Sequence, residues 1–217
     1  LVVAYNKVRK NKGATTLGYV LSEDKYQRLS AECKSFMNKT TSLPDGMSKT
    51  ILQTTSKLLR KGKYPWGTSK RIDIPKPGQP DKQRPITIPP FMDRVIQTSI
   101  VMVLQAIYEP WFEKLNVSFG FRPNRGVHDA IYCLTNYNTN GMSKGLEGDI
   151  HSAYNEVCKK RLLKILNKRI VDRKFLNLIK TRLNYQYYDT IKMKYVEEEK
   201  GIPQGGTDSP YLWNIYM

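Results

Sequence analysis

The chain has 217 residues, of which 40% are hydrophobic and 25% are charged, so it is long enough for a sizeable core and close to globular averages. This composition excludes wholesale disorder and a small disulfide-stapled module, and no apolar run reaches the roughly 18 to 20 residues needed to cross a bilayer. A start at Leu1 rather than methionine suggests a processed or trimmed fragment. We expect it to be soluble and intracellular.

Lysine and arginine outnumber aspartate and glutamate by 36 to 19, which gives a formal net charge of +17. Residues 1–90 hold 18 basic and 6 acidic side chains, so the first two fifths of the chain carry most of the excess. A charge of this size predicts a polyanionic partner, and binding that weakens steeply as salt is added.

Cysteine and histidine are few. Cys33, Cys133 and Cys158 are far apart, and His128 and His151 are the only histidines that could supplement them. This spacing argues against a zinc site and fits a reducing compartment. His151 is expected at the surface.

Apolar spacing and turn residues predict helices and strands in no regular βαβ rhythm, which indicates an α+β architecture. Helices are predicted over 22–37, 49–59, 93–108 and 127–137, twice within 155–184, and from 209 onward. Strands are predicted over 70–74, 84–88, 145–150 and 191–196. The proline-rich connector 75–83 predicts a hairpin whose basic tip stands off the ladder, and Glu109-Pro110 is expected to end the long helix.

Five features carry candidate chemistry. In chain order they are the basic tip with Lys76, Lys82 and Arg84, the aromatic and arginine loop 118–125, the carboxylate of Asp149, Tyr154, and the glycine-rich turn 201–206. Each also has an ordinary interpretation: the tip could be solvated, the loop arginines could tie down their own loop, the aspartate could cap a helix, the tyrosine could belong to the core, and Gln204 could be a turn residue.

The order of these motifs resembles the reverse transcriptases encoded by group II introns, the maturases. The resemblance rests on Ile-Pro-Lys-Pro at 74–77 with Arg-Pro-Ile-Thr-Ile-Pro at 84–89, Asp-Arg-Val-Ile-Gln at 93–97, Phe-Gly-Phe-Arg-Pro at 119–123, Glu-Gly-Asp-Ile at 147–150, and Gly-Ile-Pro-Gln-Gly-Gly at 201–206 with Ser-Pro at 209–210. It covers residues 60–217 strongly and the first 60 loosely.

The resemblance implies a right-hand polymerase built from antiparallel sheet elements and packed helices. Residues 1–90 would be basic fingers with the hairpin tip near 75–84, and residues 91–217 an incomplete palm, with 156–201 folding back towards the fingers. The family carries a later Tyr-Ala-Asp-Asp motif with two more metal-binding carboxylates. This chain ends before that motif, so residues 1–217 alone are expected to be inactive.

The resemblance also implies site residues. Asp149 would be the catalytic carboxylate and, with Ile150, would bind Mg²⁺; two-metal transfer holds ions roughly 3.5 to 4 Å apart, and one carboxylate cannot hold both. The implied nucleotide-binding residues are Lys76, Lys82, Arg84, Tyr154 and Gln204. Arg84 and one of the two lysines would neutralise the triphosphate, Tyr154 would exclude a 2′-hydroxyl, and Gln204 would lie beside the nucleotide and template base.

RNA is expected to bind mainly the basic first 90 residues. The candidate RNA contacts are Lys7, Arg9, Lys10, Lys12, Arg122 and Arg125. The last two could instead tie down their own loop. Phe119 and Phe121 are expected in the core rather than stacked on bases, and Asp208 is expected to cap a helix N-terminus.

The implied partners are a group II intron RNA, an RNA template with a DNA primer, and dNTPs. An incomplete palm would also expose apolar surface, so a homodimer is a further expectation. The resemblance also implies a bacterial cytoplasm, or an organellar matrix if the source is a eukaryote. Two alternatives stay open: an RNA-binding splicing cofactor without polymerase activity, and a viral-type RNA-dependent RNA polymerase. The second class usually has another aspartate a few residues after the first, where this chain has Tyr154 and Asn155.

Overall fold

A computed structural model describes residues 1–10, 21–41 and 48–217. The helices are α1 (Val2–Val8), α2 (Glu23–Gln27), α3 (Ala31–Thr41), α4 (Lys49–Arg60), α5 (Phe91–Leu115), α6 (Val127–Thr139), α7 (Lys159–Asn167), α8 (Arg173–Leu183) and α9 (Ser209–Tyr216). The strands are β1 (Ser69–Lys76), β2 (Gln79–Ile88), β3 (Gln186–Asp189) and β4 (Lys194–Glu197). None of these helices has both the length and the apolar character that a membrane crossing requires.

The four strands form one mixed sheet in the order β2-β1-β3-β4. β1 pairs antiparallel with β2 and parallel with β3, and β3 pairs antiparallel with β4. The predicted antiparallel elements are present in both of these antiparallel pairs, and the parallel β1–β3 contact, which was not predicted, makes the sheet mixed. The parallel contact joins residues 69–71 to 187–189, a separation along the chain that local sequence patterns cannot register.

The β1–β2 hairpin is paired almost to its end. Its ladder reaches Lys76 opposite Gln79, which leaves Pro77 and Gly78 as the connection. The prediction that 75–83 stands off the ladder was wrong. Within the described part of the chain, β1 has no second neighbour beyond Arg71 and β2 is an edge strand, so prolines there interrupt no further pairing.

The core forms around α5. Its buried side chains include Ile96, Ile100 and Leu104, which pack in one cluster with apolar residues of α7, α8 and α9. Contrary to the prediction, α5 runs through Pro110 to Leu115 and is followed by the C-cap Asn116, which has a left-handed φ of 48°. Burial of apolar side chains on both sides of Pro110 offsets the lost backbone hydrogen bond.

Two other predicted elements differ from the structure. Helix 22–37 is interrupted, because α2 ends at Gln27 and α3 begins at Ala31. The strand expected over 145–150 does not form: these residues are exposed and irregular. A strand needs a neighbour to accept its backbone hydrogen bonds, and no described segment pairs with this one.

Candidate nucleotide-binding cleft

Three distant segments line one cleft of about 830 Å³. They are the hairpin end, residues 149–155, and the turn at Gln204. The sequence singled out each of these segments separately, and the structure brings them together. The loop 118–125 does not line this cleft.

The glycine-rich turn packs directly against β2. The Thr87 amide donates to the Gln204 carbonyl at 2.7 Å. Gly205 has a φ of +112°, and a Cβ there would lie 2.5 Å from the Thr87 carbonyl oxygen. Only glycine permits this approach, so the turn needs Gly205 for its contact with the hairpin.

The Gln204 side chain lies beside Arg84. With its amide oriented to satisfy the surrounding groups, Gln204 accepts from the Arg84 Nη2 and Nε at 2.8 and 2.9 Å and donates to the Pro85 carbonyl at 3.0 Å. The arginine is exposed, yet its guanidinium is held from one side. This contact links two of the predicted nucleotide-binding residues directly.

The other side of the turn packs against residues 154–157. The Ile202 amide donates to the Tyr154 carbonyl at 2.9 Å, and the Gly201 amide donates to the Val157 carbonyl at 2.8 Å. Tyr154 is half-buried, and its ring lies 6.0 Å from that of Trp213. Burial raises the pKa of the Tyr154 phenol, and the nearby Arg84 guanidinium offsets part of that rise. Tyr154 therefore packs on the core and lines the cleft at once.

A buried polar network lies beneath the turn. The Gln97 side-chain oxygen accepts from the Thr207 amide and hydroxyl at 3.0 and 3.1 Å. One turn earlier in α5, Asp93 accepts from the Tyr64 hydroxyl at 2.8 Å and from the Gly67 amide at 3.0 Å. Sequence reasoning did not assign roles to these two residues. The motif at 93–97 could have indicated them, because Asp93 and Gln97 are four residues apart and therefore lie on the same, buried side of the helix.

Burial dominates the electrostatics of Asp93. It raises the pKa of this carboxyl to about 6, although the Tyr64 hydroxyl, the Arg182 guanidinium and the Gly67 amide act in the opposite direction. Ionising Asp93 inside the fold is therefore unfavourable relative to water.

Asp208 occupies the N-cap position of α9 but makes no side-chain cap bond, so the expected capping role was wrong. Its carboxylate instead forms an ion pair of 3.0 Å with Arg182, and both side chains are at most 4% exposed. Arg182 also lies 5.9 Å from the Trp66 ring. Asp208 thus joins α8 to the start of α9 behind the turn.

Asp149 lines the cleft, and residues 145–152 around it are all exposed. No other residue in the described lining of the cleft carries a carboxylate. No three His, Cys, Asp or Glu side chains group as metal ligands anywhere in the described ranges. The donors present, one carboxylate and the backbone near Ile150, therefore do not complete a two-metal site.

Only part of the basic tip lines the cleft. Lys76 and Arg84 line the cleft, whereas Lys82 does not, although all three are exposed. Of the two lysines that the resemblance offers for the triphosphate, Lys76 is therefore the one that lines the cleft. His151 also lines the cleft and is exposed, which confirms its predicted surface position.

Arg122 ties down its own loop. It pairs with Glu109 at 3.1 Å, donates to the Ser118 carbonyl at 2.7 Å, and its side chain is 1% exposed. It cannot reach RNA in this conformation, and the half-buried Arg125 is the more accessible of the two. Phe121 is 70% exposed, so its expected core position was wrong, whereas Phe119 is half-buried.

The predicted N-terminal RNA contacts lie at the end of α1. Lys7, Arg9 and Lys10 are exposed there, while Ala4 and Val8 pack on Val95 of α5. Lys12 lies outside the described residues. The apolar side of α1 thus fixes the helix and leaves its basic end towards solvent.

The fold is mixed α/β, and it brings a basic hairpin, a carboxylate and a glycine-rich turn to one cleft. Residues 74–217 match the reverse transcriptase (RNA-dependent DNA polymerase) family, and the chain belongs to that family. This agrees with the resemblance found in the sequence, including its group II intron affiliation.

Relatives of this chain come from bacteria and yeast. It is 33% identical to the group II intron-encoded protein LtrA of Lactococcus lactis, over 92% of this chain and 32% of that protein. It is 32% identical to an uncharacterized 91 kDa protein in the cob intron of Schizosaccharomyces pombe, over 100% and 23%. It is 34% identical to protein YkfC of Escherichia coli, over 80% and 47%. The chain therefore spans less than half the length of each.

Proposed function

We propose that this chain is the nucleotide-binding part of an RNA-directed DNA polymerase of a group II intron. Residues 1–90 would be the fingers and residues 91–217 an incomplete palm. The observation that carries the proposal is the convergence of Arg84, Tyr154, Gln204 and Asp149 on one cleft. The β3–β4 pair beside β1 supports folding of 156–201 back towards the fingers.

In this proposal Arg84 and Lys76 bind the triphosphate, since both are cationic, exposed and cleft-lining. Gln204 orients the Arg84 guanidinium through two hydrogen bonds, so that its remaining donors face the phosphates. Tyr154 is backed by Trp213 and connected to the turn through its carbonyl. A ring held in this way would limit the space beside the sugar and disfavour a 2′-hydroxyl.

Asp149, with the backbone of Ile150, would supply one side of a Mg²⁺ site. Bound Mg²⁺ supplies charge stabilisation of the attacking and leaving oxygens in phosphoryl transfer. Since the described cleft lining offers one carboxylate, residues 1–217 by themselves are expected not to extend a primer.

An RNA template with a DNA primer and the intron RNA itself are the proposed nucleic-acid partners. The exposed cations at the end of α1 support the second candidate function, an RNA-binding splicing cofactor. The two functions are compatible, because α1 and the cleft involve different residues. Self-association is also proposed, on the ground that α6 has no buried side chain and exposes Val127, Ile131 and Leu134.

Titration of the chain with dATP and Mg²⁺ tests the cleft. Arg84→Gln should weaken binding roughly tenfold or more, because a charge-assisted hydrogen bond contributes about 1.5 kcal/mol or more. Lys82→Gln is the matched control, since it also removes one exposed cation of β2 but lies outside the cleft. Equal effects of the two variants would contradict the assigned cleft.

The sugar discrimination has its own test. Tyr154→Ala should bring the affinities for dATP and ATP closer together by improving that for ATP. An unchanged affinity ratio in a variant that retains its fold would remove Tyr154 from this role.

A further inference from the structure

A second basic surface lies far from the first 90 residues in the sequence. Residues 156–184 hold ten basic and two acidic side chains, an excess hidden in the modest average charge of 91–217. Eight of the ten are exposed on or beside α7 and α8: Lys160, Arg161, Lys164, Lys168, Arg169, Arg173, Lys174 and Lys180. In the described part of the chain, none of these eight forms an ion pair.

Part of this surface meets α4 across a groove of about 240 Å³, here called the α4–α8 groove. Arg60 and Lys61 line one side, and Arg173 and Lys174 line the other. No carboxylate is among the described residues that line it. Four cations from positions more than a hundred residues apart are thereby brought around one concave surface.

The charges of the groove are largely uncompensated. Lys61 pairs with Glu32 at 3.4 Å, but both side chains are about half exposed, and such surface pairs contribute little. Asp172 accepts from the Lys174 and Phe175 amides as the α8 N-cap, so its carboxylate serves the backbone rather than the guanidinium of Arg173. Within the described ranges, Arg60, Arg173 and Lys174 have no acidic partner.

The small volume of the groove favours binding of part of an extended anion over enclosure of a small molecule. Its volume lies below the roughly 300 Å³ at which small-molecule sites begin. Its lining also includes the polar side chains of Asn177 and Thr181. Tyr64 forms part of the wall and is fixed by its hydrogen bond to Asp93, so the groove has a firm support.

We propose that the α4–α8 groove binds the phosphodiester backbone of RNA. Two arginines and two lysines around a shallow groove suit phosphate oxygens, because these residues donate hydrogen bonds and release counterions when they neutralise phosphates. RNA as the partner rests on the proposed function. The groove shares no lining residue with the cleft, so it would bind RNA outside the nucleotide site.

The groove variant replaces three exposed cations at once: Arg60→Gln, Arg173→Gln and Lys174→Gln. The control variant removes the same charge elsewhere: Arg28→Gln, Lys114→Gln and Lys144→Gln, all exposed and outside the groove. The full chain is titrated with a fluorescein-labelled RNA hairpin at several salt concentrations, and thermal unfolding checks that both variants remain folded.

The groove variant should bind the hairpin at least about tenfold more weakly than the control, and its plot of log affinity against log salt should be shallower by about two to three. Matching affinities and slopes would overturn the proposal, because the effect would then be one of net charge. An acidic protein segment is the competing partner. If the groove variant loses binding to polyglutamate but not to RNA, the groove serves such a segment and the proposal is wrong.

The RNA and dATP measurements distinguish failure of the groove proposal from failure of the proposed nucleotide-binding cleft. The groove variant should retain dATP binding and bind the RNA hairpin more weakly, whereas adding Arg84→Gln to it should weaken dATP binding and leave the RNA-affinity loss of the groove variant in place. A chain that passes the RNA test and fails the dATP test would retain the groove and lose the polymerase assignment.

Discussion

The two sides of the cleft are built differently. The turn 201–206 is fixed by backbone hydrogen bonds to β2 and to residues 154–157, and Gln97 and Thr207 support it from below. The segment that carries Asp149 is exposed, irregular and unpaired with any described strand. Contacts within the described residues therefore fix the position of the turn, whereas they do not fix the position of the Asp149 segment.

This contrast distinguishes the residues proposed to bind the nucleotide from the residue proposed to bind the metal. The groups proposed to contact the triphosphate and sugar, Arg84 and Tyr154, have neighbours that position them. Asp149, the proposed metal ligand, has no such support among the described residues. Preorganised groups are the ones that bind or catalyse efficiently, so the chain should bind nucleotide better than it transfers it.

The largest expected effect is on the buried ion pair behind the turn. Asp208→Asn should lower the free energy of unfolding by about 3 to 5 kcal/mol, because it removes the carboxylate that forms the ion pair with the buried Arg182 guanidinium. Urea denaturation measures this. The double variant Asp208→Leu, Arg182→Met should lose less than the two single variants together; strict additivity would show that the pair is not coupled.

The next effect compares two glycines, one on each side of the cleft. Gly205→Ala should cost about 3 kcal/mol, since its Cβ would meet the Thr87 carbonyl oxygen and its φ of +112° is strained for alanine. Gly148→Ala has nothing within 4 Å of its Cβ and should change stability by less than about 0.5 kcal/mol. Similar losses at both positions would invalidate the contrast.

The buried Asp93 should make stability depend on pH. Its ordinary pKa of 3.8 rises to about 6 in the fold, so between these values the folded state binds more protons than the unfolded state, and stability falls as pH rises. At about 1.36 kcal/mol per pH unit, the loss reaches up to about 3 kcal/mol and is complete above about pH 6.

Asp93→Asn removes this dependence while preserving the shape of the side chain. The difference in unfolding free energy between wild type and variant, measured at about pH 4 and about pH 7, isolates the group from other carboxylates. A wild type that gains stability relative to the variant over this interval would reverse the assigned direction.

The smallest effect is expected at Leu146, which is fully exposed beside Asp149. Leu146→Ser should change the free energy of unfolding by less than about 0.5 kcal/mol, because it removes no buried apolar surface. A loss above about 1 kcal/mol would mean that this segment packs against something in solution. The same variant of a core leucine, Leu104→Ser, serves as the positive control.

Local patterns predicted the long helices and the hairpin strands, because apolar periodicity follows directly from which face is buried. They did not predict the continuation of α5 through Pro110 or the absence of the strand at 145–150. In the first case tertiary packing outweighed a local helix breaker. In the second, the strand-like sequence lacked a partner for its hydrogen bonds.

The sequence by itself determined the family, the candidate site residues Arg84, Tyr154, Gln204 and Asp149, and the strong positive charge, because residue type and order are sufficient for those statements. The tertiary structure decided which lysine lines the cleft, that Asp208 pairs with Arg182, and that cations from α4 and α8 share one groove. These features depend on distances between residues far apart in the chain, and such distances are set only when the core packs.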